Sequence, residues 1–325
     1  MAKFKFGLDL GFGSVKIIGA GRSVVIPSQV VRVSSNAVNL SAFDNGRKQS
    51  KDNAARLIES NGQAYWVGLG AYAKNITAAP VEEYGIERLL NDSHIKMVVY
   101  SALSDTPALS RDEVALFVGL PFALASGDAA KSNIKRVKEW LVGEHTWNVD
   151  RRERGVNVVT VKALSQAMGA YCDYTLGNGG GQRNPVQPDA LYGVLSVGFG
   201  TVEMAVISND EIQDAEGFQS GVQSMLQAMR TNGESFSELD TKLRAGSLHL
   251  NGAATDWKAN VRGKIDNKWR NLIPRFSKVI CVGGGIRFMR DELVSKFGDK
   301  MWTPDTPDDE VTAVARGLYK LSESL

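Results

Sequence analysis

The residues of this sequence that could do chemistry cluster in glycine turns, each of which follows a strand-like run. The first turn runs from Asp9 to Lys16, and its central residues are Gly11, Phe12, Gly13 and Ser14. A tight glycine turn presents several backbone N–H groups to one point, which suits a phosphate group. Lys16 could supply a cation to that phosphate, and Asp9 could hold Mg²⁺ through water molecules. An ordinary β-hairpin would use the same turn, so this segment alone leaves both interpretations open.

A second glycine turn repeats this arrangement in the middle of the chain. It runs from Ser196 to Glu203, and Thr201 offers a hydroxyl group to a phosphate. Its turn residues are Gly198, Phe199 and Gly200. Two such hairpins could clamp a phosphate chain from opposite sides. The pair therefore favours ligand binding more strongly than either turn does alone.

The third feature is a strand-like run that leads into three consecutive glycines and then into a helix. The glycines are Gly283, Gly284 and Gly285, and Ile286 follows them. Glycines at this place let the backbone approach a flat or bulky ligand such as adenosine. The run is not the dinucleotide-binding GxGxxG, and no P-loop sequence occurs in the chain. The histidines have no metal-binding spacing and no GxSxG motif accompanies them, which argues against a metal face and a serine hydrolase.

Apolar periodicity predicts the elements that position these turns. Strands are predicted over residues 4–10, 15–18, 24–26, 63–68, 114–118, 145–149, 156–161, 191–197, 201–207 and 278–282. Helices are predicted over residues 86–103, from an N-cap at Ser126 to Leu141, over 163–176, 219–231, 235–244, 254–273, from the third turn to Phe297, and from about Asp308. Two α/β halves that each open with a glycine hairpin predict a ligand cleft between two similar domains.

The order and spacing of the three turns resemble the phosphate-1, phosphate-2 and adenosine motifs of the actin/Hsp70/sugar-kinase superfamily. Asp9, Gly11, Gly13 and Lys16 match the actin phosphate-1 spacing position for position. The segments 67–71, 114–121 and 312–317 are similar to those of the ParM/StbA-type plasmid-segregation actins. The resemblance covers nearly the whole chain. It implies an α/β, actin-like (ribonuclease H-like) fold of two domains with a nucleotide cleft between them.

The same resemblance implies roles for individual residues. Gln166 resembles the glutamine that positions the attacking water in actin, and a neutral amide is suited to that task. The loop that ends at Gly221 resembles the segment that approaches the ribose. Ser196 departs from the family, which has an aspartate there, so we expect nucleotide binding with slow hydrolysis. Glu203, farther along the same hairpin, could partly substitute for the missing charge. Phe12 is a second departure, at a position where actin has a serine.

The resemblance further implies how the molecule would work. Domain I would comprise residues 1–165 and 308–325, and domain II residues 166–307. ATP or GTP with Mg²⁺ would close the two domains, and head-to-tail contacts between copies would build a filament. In the ParM group such a filament moves plasmids, and an adaptor protein links it to centromere DNA. We therefore expect an ATPase whose partners are further copies of itself and an adaptor protein.

Charge and composition agree with this expectation. The chain has 325 residues with 38 basic and 36 acidic side chains, a net charge of +2 that gives no reason to expect direct binding to nucleic acid. The cluster Arg151–Arg154 is interpreted as a solvated hairpin turn. No apolar stretch reaches the roughly 18 residues of a membrane span, so no membrane partner is expected. Two distant cysteines without metal spacing suggest a reduced, cytoplasmic setting.

Two other function classes stay open. One is a non-polymerising, nucleotide-dependent scaffold that resembles pilus-assembly actin-like proteins, which Ser196 makes credible. The other is a small-molecule kinase of the sugar-kinase branch, which would need an acidic general base in a substrate pocket. The sequence leaves undecided the choice between ATP and GTP, the architecture of a filament, the identity of an adaptor, and whether a plasmid, phage or chromosome would be moved.

Overall fold

Two β-sheets form the frame of the molecule. The computed structural model describes residues 2–33, 55–74, 89, 93–109, 111–230, 234, 236–250 and 252–325. The first sheet contains β1 (Phe4–Leu10), β2 (Ser14–Gly19), β3 (Arg22–Pro27), β4 (Val30–Arg32), β5 (Arg56–Ser60), β6 (Gln63–Val67), β7 (Glu113–Leu120), β8 (Gly143–Val149) and β9 (Arg152–Ser165). The second contains β10 (Leu191–Val197), β11 (Val202–Ser208), β12 (Glu211–Phe218), β13 (Phe276–Val282) and β14 (Met301–Trp302). We call the parts built on them the first half and the second half.

The two sheets share one plan. The first has the order β3-β2-β1-β7-β9 and continues through β8-β5-β6-β4, whereas the second has the order β12-β11-β10-β13-β14. In both, an antiparallel three-strand meander is followed by parallel neighbours. The structure therefore confirms the predicted repetition of a glycine hairpin followed by α/β units.

Helices cover the sheets. They are α1 (Ser93–Leu103), α2 (Phe122–Ala125), α3 (Ala130–Leu141), α4 (Gln166–Thr175), α5 (Val222–Met229), α6 (Phe236–Arg244), α7 (Gly252–Trp269), α8 (Ile286–Phe297) and α9 (Pro307–Ser324). Short 3₁₀ turns occupy Ala71–Lys74, Ile273–Arg275 and Gly298–Lys300. Of the predicted helix over residues 86–103, residue 89 and α1 are described, and the rest lies outside the described residues. No helix in the described part of the chain combines the length and apolar character that crossing a membrane requires.

A shared core joins the halves through α4 and α9. This core contains Phe117 from β7 and Ile280 from β13, together with Ala170 of α4 and Leu318 of α9. The two helices approach so closely that a Cβ atom on Gly317 would lie 1.8 Å from the carbonyl oxygen of Gly169. This contact fixes the position of α4, whose first residue is a predicted site residue.

A buried charge cluster reinforces the same helix pair. The carboxylate of Asp173 on α4 is fully buried and accepts hydrogen bonds from Arg316 and Lys320 of α9. The two hydrogen bonds from the Arg316 guanidinium measure 2.6 and 2.8 Å, and the one from the Lys320 ammonium group measures 2.7 Å. Each charge of the cluster has an opposite partner, which offsets the cost of burying it.

The structure corrects several predicted boundaries. Ser126 is not an N-cap: its hydroxyl donates to the Phe122 carbonyl at the end of the short helix α2, and α3 begins at Ala130 without a side-chain cap. Residues 163–165 extend β9 instead of starting a helix, because Ser165 caps α4 by accepting from the Ala167 N–H. The edge strand β12 was not predicted, because its mostly polar, half-exposed residues carry little alternation.

The basic cluster lies at the turn between β8 and β9, as predicted. Asp150 and Arg151 both have a positive φ, which is typical of a two-residue hairpin turn. Arg154 differs from its exposed neighbours, because its guanidinium points inward and donates to the carbonyl oxygens of Ser104 and Thr106.

Candidate functional site

One cavity of about 610 Å³ brings most of the predicted site residues together. It lies where the two glycine hairpins and the glycine run before α8 converge. The predicted residues that line it are Asp9, Gly11, Phe12, Gly13, Ser14, Lys16, Gln166, Ser196, Gly198, Phe199, Gly200, Thr201, Gly283, Gly284 and Gly285. Three others, Glu203, Gly221 and Ile286, are not part of its lining. The volume is in the range that holds a drug-sized or nucleotide-sized ligand.

The two hairpin turns interlock through phenylalanine and glycine. Phe199 packs on Gly13, where a Cβ atom would lie 2.5 Å from the Phe199 Cβ. Phe12 packs in the same way on Gly200, where a Cβ atom would lie 3.0 Å from the Phe12 ring. Each turn therefore needs a glycine opposite the phenylalanine of the other turn. This reciprocal contact places the backbone of both turns at one end of the cavity.

Asp9 organises the charged side of the site. Its Oδ2 atom accepts from the Lys16 ammonium group at 2.9 Å, and its Oδ1 atom accepts from the Gln166 amide at 2.6 Å. Asp9 and Lys16 are paired directly across β1 and β2, and Gln166 begins α4. The carboxylate is almost fully buried, so these two bonds hold its orientation. The amide oxygen of Gln166 is thereby directed away from Asp9.

Ser196 and Glu203 face each other across β10 and β11. Ser196 lines the cavity, whereas Glu203 is buried behind that lining. The Glu203 Oε1 atom accepts from the Phe122 N–H at 3.0 Å, and its Oε2 atom has no hydrogen-bond partner among the described residues. Burial raises the pKa of the Glu203 carboxyl to about 7, and the negative charge of Asp9 adds to this rise while the Phe122 bond opposes it.

The third glycine run is held by backbone bonds to neighbouring elements. Gly283 has a φ of +97°, and its N–H donates to the carbonyl of Glu310 at the start of α9. The Gly285 N–H donates to the carbonyl of Val197 at the end of β10. Gly284 lies between them with room for a ligand, because a Cβ atom there would meet only Val311 at 3.4 Å. The run thus presents open backbone to the cavity.

Gly221 and Ile286 support the lining from behind. The Gly221 N–H donates to the Gly200 carbonyl, and a Cβ atom on Gly221 would lie 2.3 Å from the Phe199 carbonyl oxygen. Ile286 is fully buried at the start of α8. Neither residue is positioned to contact a ligand in the cavity directly.

The cavity also contains charged residues that were not predicted as site residues: Asp240, Arg244, Arg287, Asp308, Asp309 and Glu310. Arg244 donates from Nε to both oxygens of Asp240 and from Nη2 to the Gly13 carbonyl at 2.9 Å. Asp240 and Arg244 are four residues apart on α6, a spacing typical of surface ion pairs, so nothing in their local pattern singles them out. Burial, together with the nearby charge of Arg244, lowers the pKa of Arg287. Its position in the first turn of α8, directly after the glycine run, was the sequence signal that could have identified it as a site residue.

These groups suit a polyphosphate ligand. Lys16, Arg244 and Arg287 provide positive charge, and the glycine turns provide backbone donors. No group of three or more histidine, cysteine, aspartate or glutamate side chains that could hold a metal ion occurs within the described ranges. Asp9 alone still fits Mg²⁺, because that ion keeps most of its waters and takes few protein carboxylates when a phosphate is also bound.

Comparisons with known proteins agree with this geometry. The family model described as the N-terminal domain of actin-like proteins matches residues 7–169, half of the chain. The archaeal actin homologue Ta0583 is 18% identical, with a TM-score of 0.75 over 100% of both chains. Its complex with ADP is 17% identical, with a TM-score of 0.70 over 100% of both chains. A 15-stranded ParM filament from Clostridium botulinum is 17% identical, with a TM-score of 0.71 over 98% of this chain and 99% of that one. A search of curated protein sequences found no match.

Proposed function

Because the chain belongs to the actin-like proteins, we propose that it binds ATP or GTP between its halves, hydrolyses it slowly and assembles head-to-tail into filaments. The observation that carries this proposal is the cavity itself: two glycine hairpins from two sheets of the same plan meet there around Asp9, Lys16 and Gln166. A kinase or a scaffold of the same fold would share the binding site, so hydrolysis and assembly need separate support.

Binding would use the residues that line the cavity. The backbone N–H groups of the two hairpin turns would cradle the phosphates, with Lys16 and Thr201 as side-chain contacts. Asp9 would hold Mg²⁺ through water, and the ion would neutralise charge on the phosphates. The open backbone at Gly284 would lie against the nucleoside. The complex of Ta0583 with ADP supports a nucleotide as the ligand class.

Hydrolysis would depend on Gln166. Its amide nitrogen donates to Asp9, so its amide oxygen is directed away from Asp9 and would orient a water molecule. Ser196 contributes a hydroxyl group where the family has a carboxylate. Glu203 supplies a partly ionised carboxyl behind Ser196, one strand away. Weak water activation and slow turnover follow from this substitution.

Phosphate release by the wild type and by Ser196→Asp tests the proposed mechanism. General-base assistance typically contributes about 10²–10⁴-fold, so we expect Ser196→Asp to accelerate release by at least about tenfold. Ser196→Asn is the matched control, because it has the same shape without the charge and should not accelerate release. Equal and fast rates in the wild type and Ser196→Asp would contradict the assigned role of Ser196.

Assembly would link copies head-to-tail, which produces an open filament instead of a closed ring. The ParM filament from Clostridium botulinum supports this part of the proposal. Following the ParM type, the filament would move DNA through an adaptor protein, within the cytoplasm. We propose a domain boundary at residues 165/166 and assign residues 308–325 to the first domain, because α9 packs along β1 and β7 of that domain as well as on α4.

Light scattering after addition of Mg²⁺ with ATP or GTP tests assembly. We expect a rise in scattering with either or both nucleotides, and filaments by negative-stain electron microscopy. Nucleotide binding without any rise would favour the non-polymerising scaffold, which Ser196 makes a credible second candidate. ADP release that depends on an added sugar, without polymer, would favour the kinase.

A further inference from the structure

A chain of hydrogen bonds crosses between the halves beside the cavity. It begins at the Gly70 N–H, which donates to the Gln29 amide oxygen at 3.1 Å. The Gln29 amide nitrogen then donates to Asp240 at 2.9 Å. Arg244 binds the same carboxylate through Nε and reaches back to the Gly13 carbonyl through Nη2, each at 2.9 Å. The chain therefore links the first half to α6 of the second half and returns to the first glycine turn.

The centre of this chain is buried. Gln29 is 2% exposed and Asp240 is 3% exposed. A buried carboxylate that loses a partner is left with uncompensated charge, which is costly. Asp240 therefore holds the Gln29 amide and the Arg244 guanidinium in one arrangement. Arg244 reaches Asp240 from Nε and the Gly13 carbonyl from Nη2, two separate nitrogens of one planar fork, whereas a lysine has a single ammonium nitrogen.

The Gly13 carbonyl receives a second donor from the first half. The Ser28 N–H donates to it at 3.0 Å, and Ser28 immediately precedes Gln29 in the chain. The peptide between Gly13 and Ser14 is planar and trans, so its N–H points opposite to its carbonyl. Two donors on the carbonyl thus fix the direction of the Ser14 N–H. Ser14 belongs to the lining of the cavity.

Arg244 also contacts the second glycine turn. Its guanidinium carbon lies 5.6 Å from the centroid of the Phe199 ring, the ring that packs on Gly13. Phe236 of α6 also contacts Phe199, edge to face, with 5.8 Å between the ring centroids. One side chain from α6 therefore touches both hairpin turns.

We propose that Arg244 is a positioning residue for the nucleotide site, held in place by Gln29 through Asp240. It fixes the Gly13–Ser14 peptide against the second turn, so that retention of the nucleotide depends on this hydrogen-bonded chain. The inference rests on the proposed nucleotide binding and specifies how the site is kept closed. It makes Gln29 important for binding, although Gln29 is not part of the cavity lining.

Stopped-flow dissociation of mant-ATP and mant-GTP, each with Mg²⁺, tests the proposal. Gln29→Leu removes both hydrogen bonds of the side-chain amide with little change of size. Arg244→Lys keeps the positive charge but removes the planar guanidinium group. We expect each variant to release the probe about tenfold faster than the wild type. The double variant should release it no faster than the single variants, because both changes interrupt one network. Lys242→Ala is the matched control: it lies on the same helix, is half-exposed and pairs with Glu234 outside the cavity.

The possible outcomes separate the two proposals. Wild-type release from Gln29→Leu with fast release from Arg244→Lys would mean that Arg244 acts by direct contact, and would overturn the network. Wild-type rates in both variants would overturn the positioning role altogether. A wild type that binds neither probe would refute the proposed function itself. Urea unfolding of every variant checks that the effect is on release and not on folding.

Discussion

Glu203→Gln is the change whose effect on stability follows most directly from the structure. The glutamate is buried, accepts one bond from the Phe122 N–H and leaves its second oxygen without a partner in the described part of the chain. Glutamine has nearly the same shape and can still accept the Phe122 bond. It therefore imitates the protonated glutamate and removes the ionisation without opening a cavity.

The magnitude comes from the raised pKa. The carboxyl has an ordinary pKa of 4.5 and a folded-state pKa of about 7. Between these values the unfolded chain has lost the proton while the folded protein keeps it, so the free energy of unfolding falls as the pH rises. At about 1.4 kcal/mol per pKa unit the whole loss is about 3 kcal/mol, most of it between pH 5 and pH 8. Glutamine shows no such loss.

Urea unfolding of both proteins at pH 5, 6, 7 and 8 measures this effect. All other titrating groups are shared, so the change with pH in the difference between the two proteins isolates Glu203. We expect the free energy of unfolding of Glu203→Gln, relative to that of the wild type, to rise by about 2–3 kcal/mol between pH 5 and pH 8. A difference that stays constant over this range would refute the reasoning, because it would mean that Glu203 ionises freely in the folded state.

Further predictions concern the helix pair and the amide of Gln166, for which we propose a role in hydrolysis. Gly317→Ala should lower the free energy of unfolding, measured in urea, by about 3 kcal/mol, because the new Cβ atom would collide with Gly169. Gly263→Ala on α7 is the control: a Cβ atom there has open space, so stability should change by under about 1 kcal/mol. Asp173→Asn should cost about 3–5 kcal/mol, since it leaves Lys320 without its carboxylate and Arg316 with Asp309 alone, and a loss under about 1 kcal/mol would contradict its role. Gln166→Ala should slow phosphate release by at least about tenfold with a smaller effect on mant-nucleotide affinity, and an unchanged rate would remove it from the mechanism.

The glycine hairpins were predictable because their signals are local. The first strand has the predicted bounds Phe4–Leu10, and the first strand of the second half has the predicted bounds Leu191–Val197. Each apolar run ends at a glycine turn within the next few residues, so strand and turn are specified together. Their equivalent positions also predicted correctly that the two sheets repeat one plan. The resemblance to actin then gave the fold that the family model confirms for residues 7–169.

The residues that were missed act over long sequence separations. Arg244 and Gly13 are 231 positions apart, and Gln29 and Asp240 are 211 apart. Nothing in the local pattern of α6 distinguishes an Asp–Arg pair that enters a cleft from one that faces water. The position of Glu203 behind the cavity lining, and not in it, likewise depends on how β11 packs against α2. These positions depend on how the two sheets pack together, which the local sequence pattern does not reveal.

The two halves repeat one backbone plan but divide the chemistry between them. The first half supplies Asp9 and Lys16, which pair with each other across β1 and β2. The equivalent ladder of the second half pairs Ser196 with Glu203, and there the carboxyl turns away to bind the first half at Phe122. A carboxyl that would serve water activation in the cavity therefore serves the contact between the halves instead. On this reasoning, the proposed slow hydrolysis and the contact between the halves at Phe122 are two consequences of the same placement of one carboxyl group.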